Sequence, residues 1–119
     1  MRARRIVVDY VNDMYMNAQK AMEFVEGMDF ADFEVDERIQ YAVIRALEII
    51  GEAAKYIPDD VAGQYPQIPW RSIRGMRNKL IHAYFGVDTF VVWLTVQEDL
   101  PFLLQLLERM RSDLQAENE

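Results

Sequence analysis

Three stretches of the chain space their apolar residues four and three apart in alternation, which leaves few folds open. Val7, Val11, Met14, Ala18, Ala21 and Val25 form the first set. Ile39, Val43, Ala46, Ile50, Ala53 and Ile57 form the second, and Val96, Leu100, Leu103, Leu107, Met110 and Leu114 the third. An α-helix advances about 100° per residue, so each set lines one side of a helix. No segment reads convincingly as a β-strand. The expectation is an all-α protein, an antiparallel up-and-down four-helix bundle plus a short extra helix, with crossings near about +20°.

The punctuation agrees with three long helices. Gly27 should end the first, and Asp29, Asp32 or Asp36 can cap the next helix. Pro58 lies just past the second, and "PDDVAGQYPQIPW" has room for the short extra helix. A fourth helix is expected from Pro69–Trp70 to Ile81 or His82, where a first-turn proline is tolerated. "FGVD" then turns the chain, with Asp88 as N-cap of the last helix. Pro101 should bend that helix, because it removes a backbone donor and crowds the preceding turn.

At 119 residues, 51% apolar and 28% charged, the chain fits a single domain, 1–119, with a core of its own. It has no cysteine, which excludes thiolate catalysis, cysteine-based zinc sites and disulfide scaffolds, and fits a reducing compartment. The opening "MRARRIVVDYVNDMY" is basic, but Asp9 and Asp13 interrupt its apolar run too early for a secretory signal. No window approaches the roughly 20 apolar residues of a membrane span. The chain reads as soluble and cytoplasmic, with no membrane partner.

The net charge of −7 argues against a general nucleic-acid binder. It is unevenly spread, however. From Val61 to Val87 there is no acid, and Arg71, Arg74, Arg77 and Lys79 add four positive charges. The remainder keeps 9 of the 13 basic residues and all 20 acids, a net of −11. An anionic ligand has one obvious place to go, and the only histidine, His82, stands there.

On a regular helix Ile73, Met76 and Leu80 face the core, while Arg74, Asn78 and His82 share a polar side. Arg77 lies near the core edge, about 140° from His82. Either the helix ends before His82, or a second copy of the chain completes the pairing. The chemistry these residues suggest is phosphodiester cleavage in RNA. An imidazole can take a proton from a 2′-hydroxyl or return one to a leaving oxygen. A guanidinium can clamp phosphate oxygens as charge builds in the transition state. Asn78 can orient either partner, and Tyr84 can donate to a phosphate, stack on a base or carry a modification. The route needs no metal and no cofactor, and Glu48 and Glu52 have no second histidine or cysteine to join them in holding one.

Plainer readings stand beside these. A histidine at a helix end often serves the helix dipole. Arg71, Arg74 and Lys79 can be a solvated face instead of phosphate ligands. Met14, Met16, Met22 and Met28 fit as packing, Trp70 and Trp93 as core or interface anchors, and Glu48 and Glu52 as exposed residues beside Arg45 and Lys55.

The stretch "RNKLIHAYFGVD" resembles the signature of the HepT-like branch of the HEPN superfamily: Arg, four residues, His, one residue, Tyr. Arg77, His82 and Tyr84 match it completely. The likeness extends through "ALEIIGEAAKYIP", "IPWRSIRGMRN" and "VDTFVVWLTVQEDLPFLLQLL", from about Tyr41 to Leu107. It implies a HEPN-like helical homodimer in which two motifs face one cleft. It also implies a metal-independent RNA endonuclease, the toxin of a type VII toxin–antitoxin pair. His82 would then be the acid/base residue, Arg77 the phosphate clamp and Asn78 their support, acting on transfer or messenger RNA. The implied partner is a small nucleotidyltransferase that places AMP on Tyr84, blocking the site by charge and bulk. The alternative is a non-catalytic module that binds a nucleotidyltransferase or a nucleotide.

Overall fold

The protein is described from a computed structural model, which defines residues 2–76, 78, 80 and 88–118, with side chains from 6 to 117 of that set. The expected end of the fourth helix and the turn at 85–87 lie outside the described residues, as do Arg77, Lys79, His82 and Tyr84.

All regular structure among the described residues is helical. Helix α1 spans Arg2–Phe24, α2 Phe30–Glu34, α3 Glu37–Lys55, α4 Asp59–Ala62 and α5 Trp70–Arg74. Helix α6 spans Thr89–Leu94, passes through a π-helical turn at Thr95–Asp99, and continues as α7, Leu100–Asn118.

Local chemistry explains the boundaries. Gly27 adopts φ +80, a left-handed conformation that costs glycine little, just past the end of α1. Nothing lies within 4 Å of where a Cβ would stand, so backbone conformation and not space selects glycine there. Asp29 accepts from the Asp32 amide at 2.9 Å, and the Asp32 carboxylate accepts from the Asp29 amide at 3.1 Å, a reciprocal cap on α2. Asp36 caps α3 through the Ile39 amide, and Asp88 caps α6 through that of Phe90. The extra helix after Pro58 forms as α4.

Pro101 acts through the turn before it. The Leu100 N–H reaches back five residues to the Thr95 carbonyl, so the expected bend takes the form of a π turn. This widening relieves the crowding a proline ring imposes on the turn ahead of it.

Helix α1 is the central element, packing on α3 along one side and on α7 along another. Both pairs run antiparallel. Tyr10, early in α1, stacks on Tyr56 at the end of α3, with ring centroids 4.9 Å apart. Arg111, late in α7, lies 4.1 Å over the ring of Tyr15. The three apolar stripes meet in this seam, and every stripe residue is buried except Ile39, which is half-buried. Met14 is fully buried and Met22 and Met28 pack partly against the core, whereas Met16 is exposed. At the far end Phe30 and Phe33 gather Trp93, and Phe30 meets Phe90 edge-on at 5.0 Å.

Two expectations change. Glu48 and Glu52 are half-buried instead of exposed, with Arg45 3.4 Å from Glu48. The helical run through 89–117 also has the length and apolar content of a membrane-crossing helix, although no such window was expected. A helix with one packed face can pass the same test, and Val96, Leu100, Leu103 and Leu107 are buried along that run.

Candidate functional site

The basic segment enters the fold at α5, which packs against α3. Trp70 opens the helix, with Pro69 as the residue before it. Trp70 is buried, and its indole N–H donates to the carbonyls of Ala62 and Tyr65, each at 3.1 Å. The polar edge of a buried ring is thereby satisfied, and the loop 63–69 is closed against its own helix. Ile73 and Leu80 are buried and Met76 packs partly on the core, as the spacing requires. After Arg74 the chain turns at Gly75, and Met76, Asn78 and Leu80 are helical.

The polar residues divide sharply. Arg71 and Asn78 are exposed. Arg74 is not displayed in this way. Its Nε donates to the Ala54 carbonyl at 3.0 Å and an Nη to the Ile57 carbonyl at 2.9 Å. The other Nη stands 3.5 Å from Asp59, whose side chain is almost wholly exposed, so that ion pair adds little. The guanidinium also lies 5.6 Å from the Trp70 ring. A cation here meets the negative end of α3, where the Ala54 carbonyl also accepts the Ile57 amide at 3.3 Å.

A second tie holds the loop to the last helix. The Tyr65 hydroxyl donates to the Asp113 carboxylate at 2.9 Å. Burial, helped by that hydrogen bond and the carboxylate's charge, pushes the Tyr65 phenol up from 10.0 to about 12. A cavity of about 400 Å³ lies beside this pair, lined in part by Gln64, Gln67 and Arg109.

A second groove, also about 400 Å³, runs between α5 and the π turn. Ser72, Ile73 and Met76 line one wall, and Glu98, Asp99 and Phe102 stand on the other. Two carboxylates therefore face the segment that the sequence marks as free of acids. Spacing offered no signal for this, because "QED" reads as an ordinary solvated stretch. Nor did it signal the contacts of Arg74 and Tyr65, which join residues 15 to 48 positions apart. Among the described residues no group of three or more His, Cys, Asp or Glu side chains could hold a metal ion.

Comparison with known proteins is consistent with this arrangement. The family model described as "Ribonuclease HepT-like" matches residues 14–110. A Thermococcus cleftensis protein named "Probable ribonuclease HepT" is 52% identical over 103 residues, 87% of this chain and 94% of that protein. A Methanocaldococcus jannaschii protein named as a candidate RNase is 42% identical over 106 residues, 89% of this chain and 97% of its own. Another so named, from Caldanaerobacter subterraneus subsp. tengcongensis, is 37% identical over 108 residues, 91% of this chain and 94% of its own. No solved structure matches the chain significantly.

Proposed function

The chain belongs to the HepT-like ribonuclease family, and on that premise we propose that it is a metal-independent RNA endonuclease acting as the toxin of a toxin–antitoxin pair. One observation carries the reading: the Arg77, Asn78, His82 and Tyr84 set is complete inside a family match spanning 14–110. In this reading His82 withdraws the proton of a 2′-hydroxyl, whose oxygen attacks the adjacent phosphorus while the 5′-oxygen of the next nucleotide leaves with a proton. Arg77 holds the non-bridging oxygens as their charge rises, and Asn78 fixes the orientation of phosphate or imidazole. Arg71 and Lys79 draw the RNA backbone toward the site. Arg74 enters as an anchor, since two of its nitrogens already serve α3.

The working unit is a cytoplasmic homodimer of single-domain chains, each site drawing groups from both copies. The antitoxin is a small nucleotidyltransferase that places AMP on the Tyr84 oxygen. The added phosphate competes for Arg77 and its bulk closes the cleft. The −11 balance outside the basic segment favours one alternative, a module that binds a nucleotidyltransferase without cutting RNA.

Cleavage by purified protein in excess EDTA, beside His82→Ala, tests the proposal. Wild type should cut transfer RNA or a single-stranded RNA to 2′,3′-cyclic phosphate ends, and the variant should not. If neither cuts, mass spectrometry of Tyr84 decides. Inactive protein with an unmodified tyrosine would sink the enzyme reading and leave the binding module.

A further inference from the structure

We infer that Arg74 is a positioning residue for the site. It pins the end of α5 to the end of α3 and thereby sets where Asn78, four residues further on, stands. The inference rests on the ribonuclease reading for its catalytic consequence, but the pin itself is built from contacts in the fold.

Three features support it. First, the guanidinium bonds two carbonyls, Ala54 in the last turn of α3 at 3.0 Å and Ile57 just past it at 2.9 Å, using the two donors along one edge of its plane. Two bonds from one rigid, planar fork fix direction as well as distance, which a single contact cannot do. Second, the side chain is only 29% exposed and lies 5.6 Å from the ring of Trp70, one turn earlier. Trp70 is itself held by two carbonyls of the preceding loop, so the pin does not swing freely. Third, the apolar contacts of this segment, Ile73 and Leu80, set the rotation of the helix against the core without stopping it from sliding. Arg74 supplies the polar stop. Asn78 follows it by only four residues, just beyond the turn at Gly75, so little chain separates the pin from it.

The sequence allowed a different role, a direct phosphate contact, and the two make opposite kinetic predictions. A phosphate ligand contributes to RNA binding, and its loss raises KM and flattens the salt dependence. A positioning residue leaves binding alone and displaces the catalytic groups, which lowers kcat.

The test uses the full-length chain with Arg74→Met, which keeps the apolar stem but no donor, and Arg74→Lys, which keeps charge and one donor. Amide hydrogen exchange over 76–80 is read alongside cleavage kinetics, at a temperature well below every variant's melting midpoint. Arg74→Met should speed exchange at 76–80 by about tenfold, the loss expected from two hydrogen bonds, with α1 and α7 unchanged. Its kcat should fall by roughly 10- to 100-fold with KM almost constant, and Arg74→Lys should lie between. Unchanged exchange at 76–80 overturns the pin, whether or not the protein cuts RNA. Faster exchange with kcat unchanged makes Arg74 structural only, and a higher KM with a weaker salt dependence makes it an RNA ligand. If the wild type cuts nothing, the ribonuclease reading and the catalytic half of this inference fall together, while the exchange result still decides the pin.

Discussion

The seam along α1 and the start of α5 hold their residues in place by different physics. In the seam, Val11, Met14, Ala18 and Ala21 of α1 meet apolar stripes from α3 and α7, and all four are fully buried. Every buried residue among those described is hydrophobic, and in this seam apolar contact carries the packing. Around α5 the reverse holds. The Trp70 indole, the Arg74 guanidinium and the Tyr65 hydroxyl each make long-distance polar ties to carbonyls or a carboxylate. Burial is non-directional and tolerates small shifts, whereas a hydrogen bond loses its value within a fraction of an ångström. The seam therefore supplies stability, and the ties place α5 and the loop before it.

The comparison breaks first in the seam. Leu107→Ala removes a fully buried side chain in the α7 stripe and should cost about 2–5 kcal/mol, read from the urea midpoint. A loss below about 1 kcal/mol would mean that this side of α1 is loosely packed.

A smaller effect is expected at the ties. Trp70→Phe keeps most of the apolar ring but leaves the Ala62 and Tyr65 carbonyls without the indole donor. Both carbonyls still accept a backbone amide, from Tyr65 and Ile68 respectively, so the cost should be about 1 kcal/mol. Hydrogen exchange should show the loosening in 63–76 and not in α1. Uniform loosening would mean that the ties are part of the core and the division is wrong.

The smallest effect is visible only in alkali. The Tyr65 phenol is raised from 10.0 to about 12 in the fold, so the folded state holds its proton more tightly than the unfolded chain. That contribution is present below pH 10 and fades as pH rises towards 12. The difference in stability between wild type and Tyr65→Phe should shrink across this window. A difference independent of pH would mean that the Asp113 bond contributes nothing to the fold.

How much of the molecule could be read in its sequence obeys the same division. The stripes, the caps at Asp29, Asp36 and Asp88, the stop at Gly27 and the short helix after Pro58 all depend on neighbours within a few positions. They were legible for that reason. Pro101 was legible as a disturbance, but whether a helix answers with a kink or a π turn depends on the surface it packs against, here α1. Glu48 and Glu52 were misread as exposed because helical spacing tells which residues share a face and not how far a neighbouring element covers it. Arg74 shows the limit most clearly. Its spacing from Asn78 placed it on a polar side, and only the approach of α3, twenty residues earlier in the chain, turned that side inward.

By itself the sequence determined the helical class, the helix ends, the residues of the core seam and the complete motif that ties the chain to its family. Each is a matter of residue type at short range, where backbone geometry leaves few alternatives. Tertiary structure alone decided that Arg74 reaches α3 while Arg71 and Asn78 are exposed, that Tyr65 is fastened to Asp113, and that Glu98 and Asp99 face α5 across a groove. Those pairings join residues far apart in the chain, and their energies exist only once the apolar seam has brought the helices together.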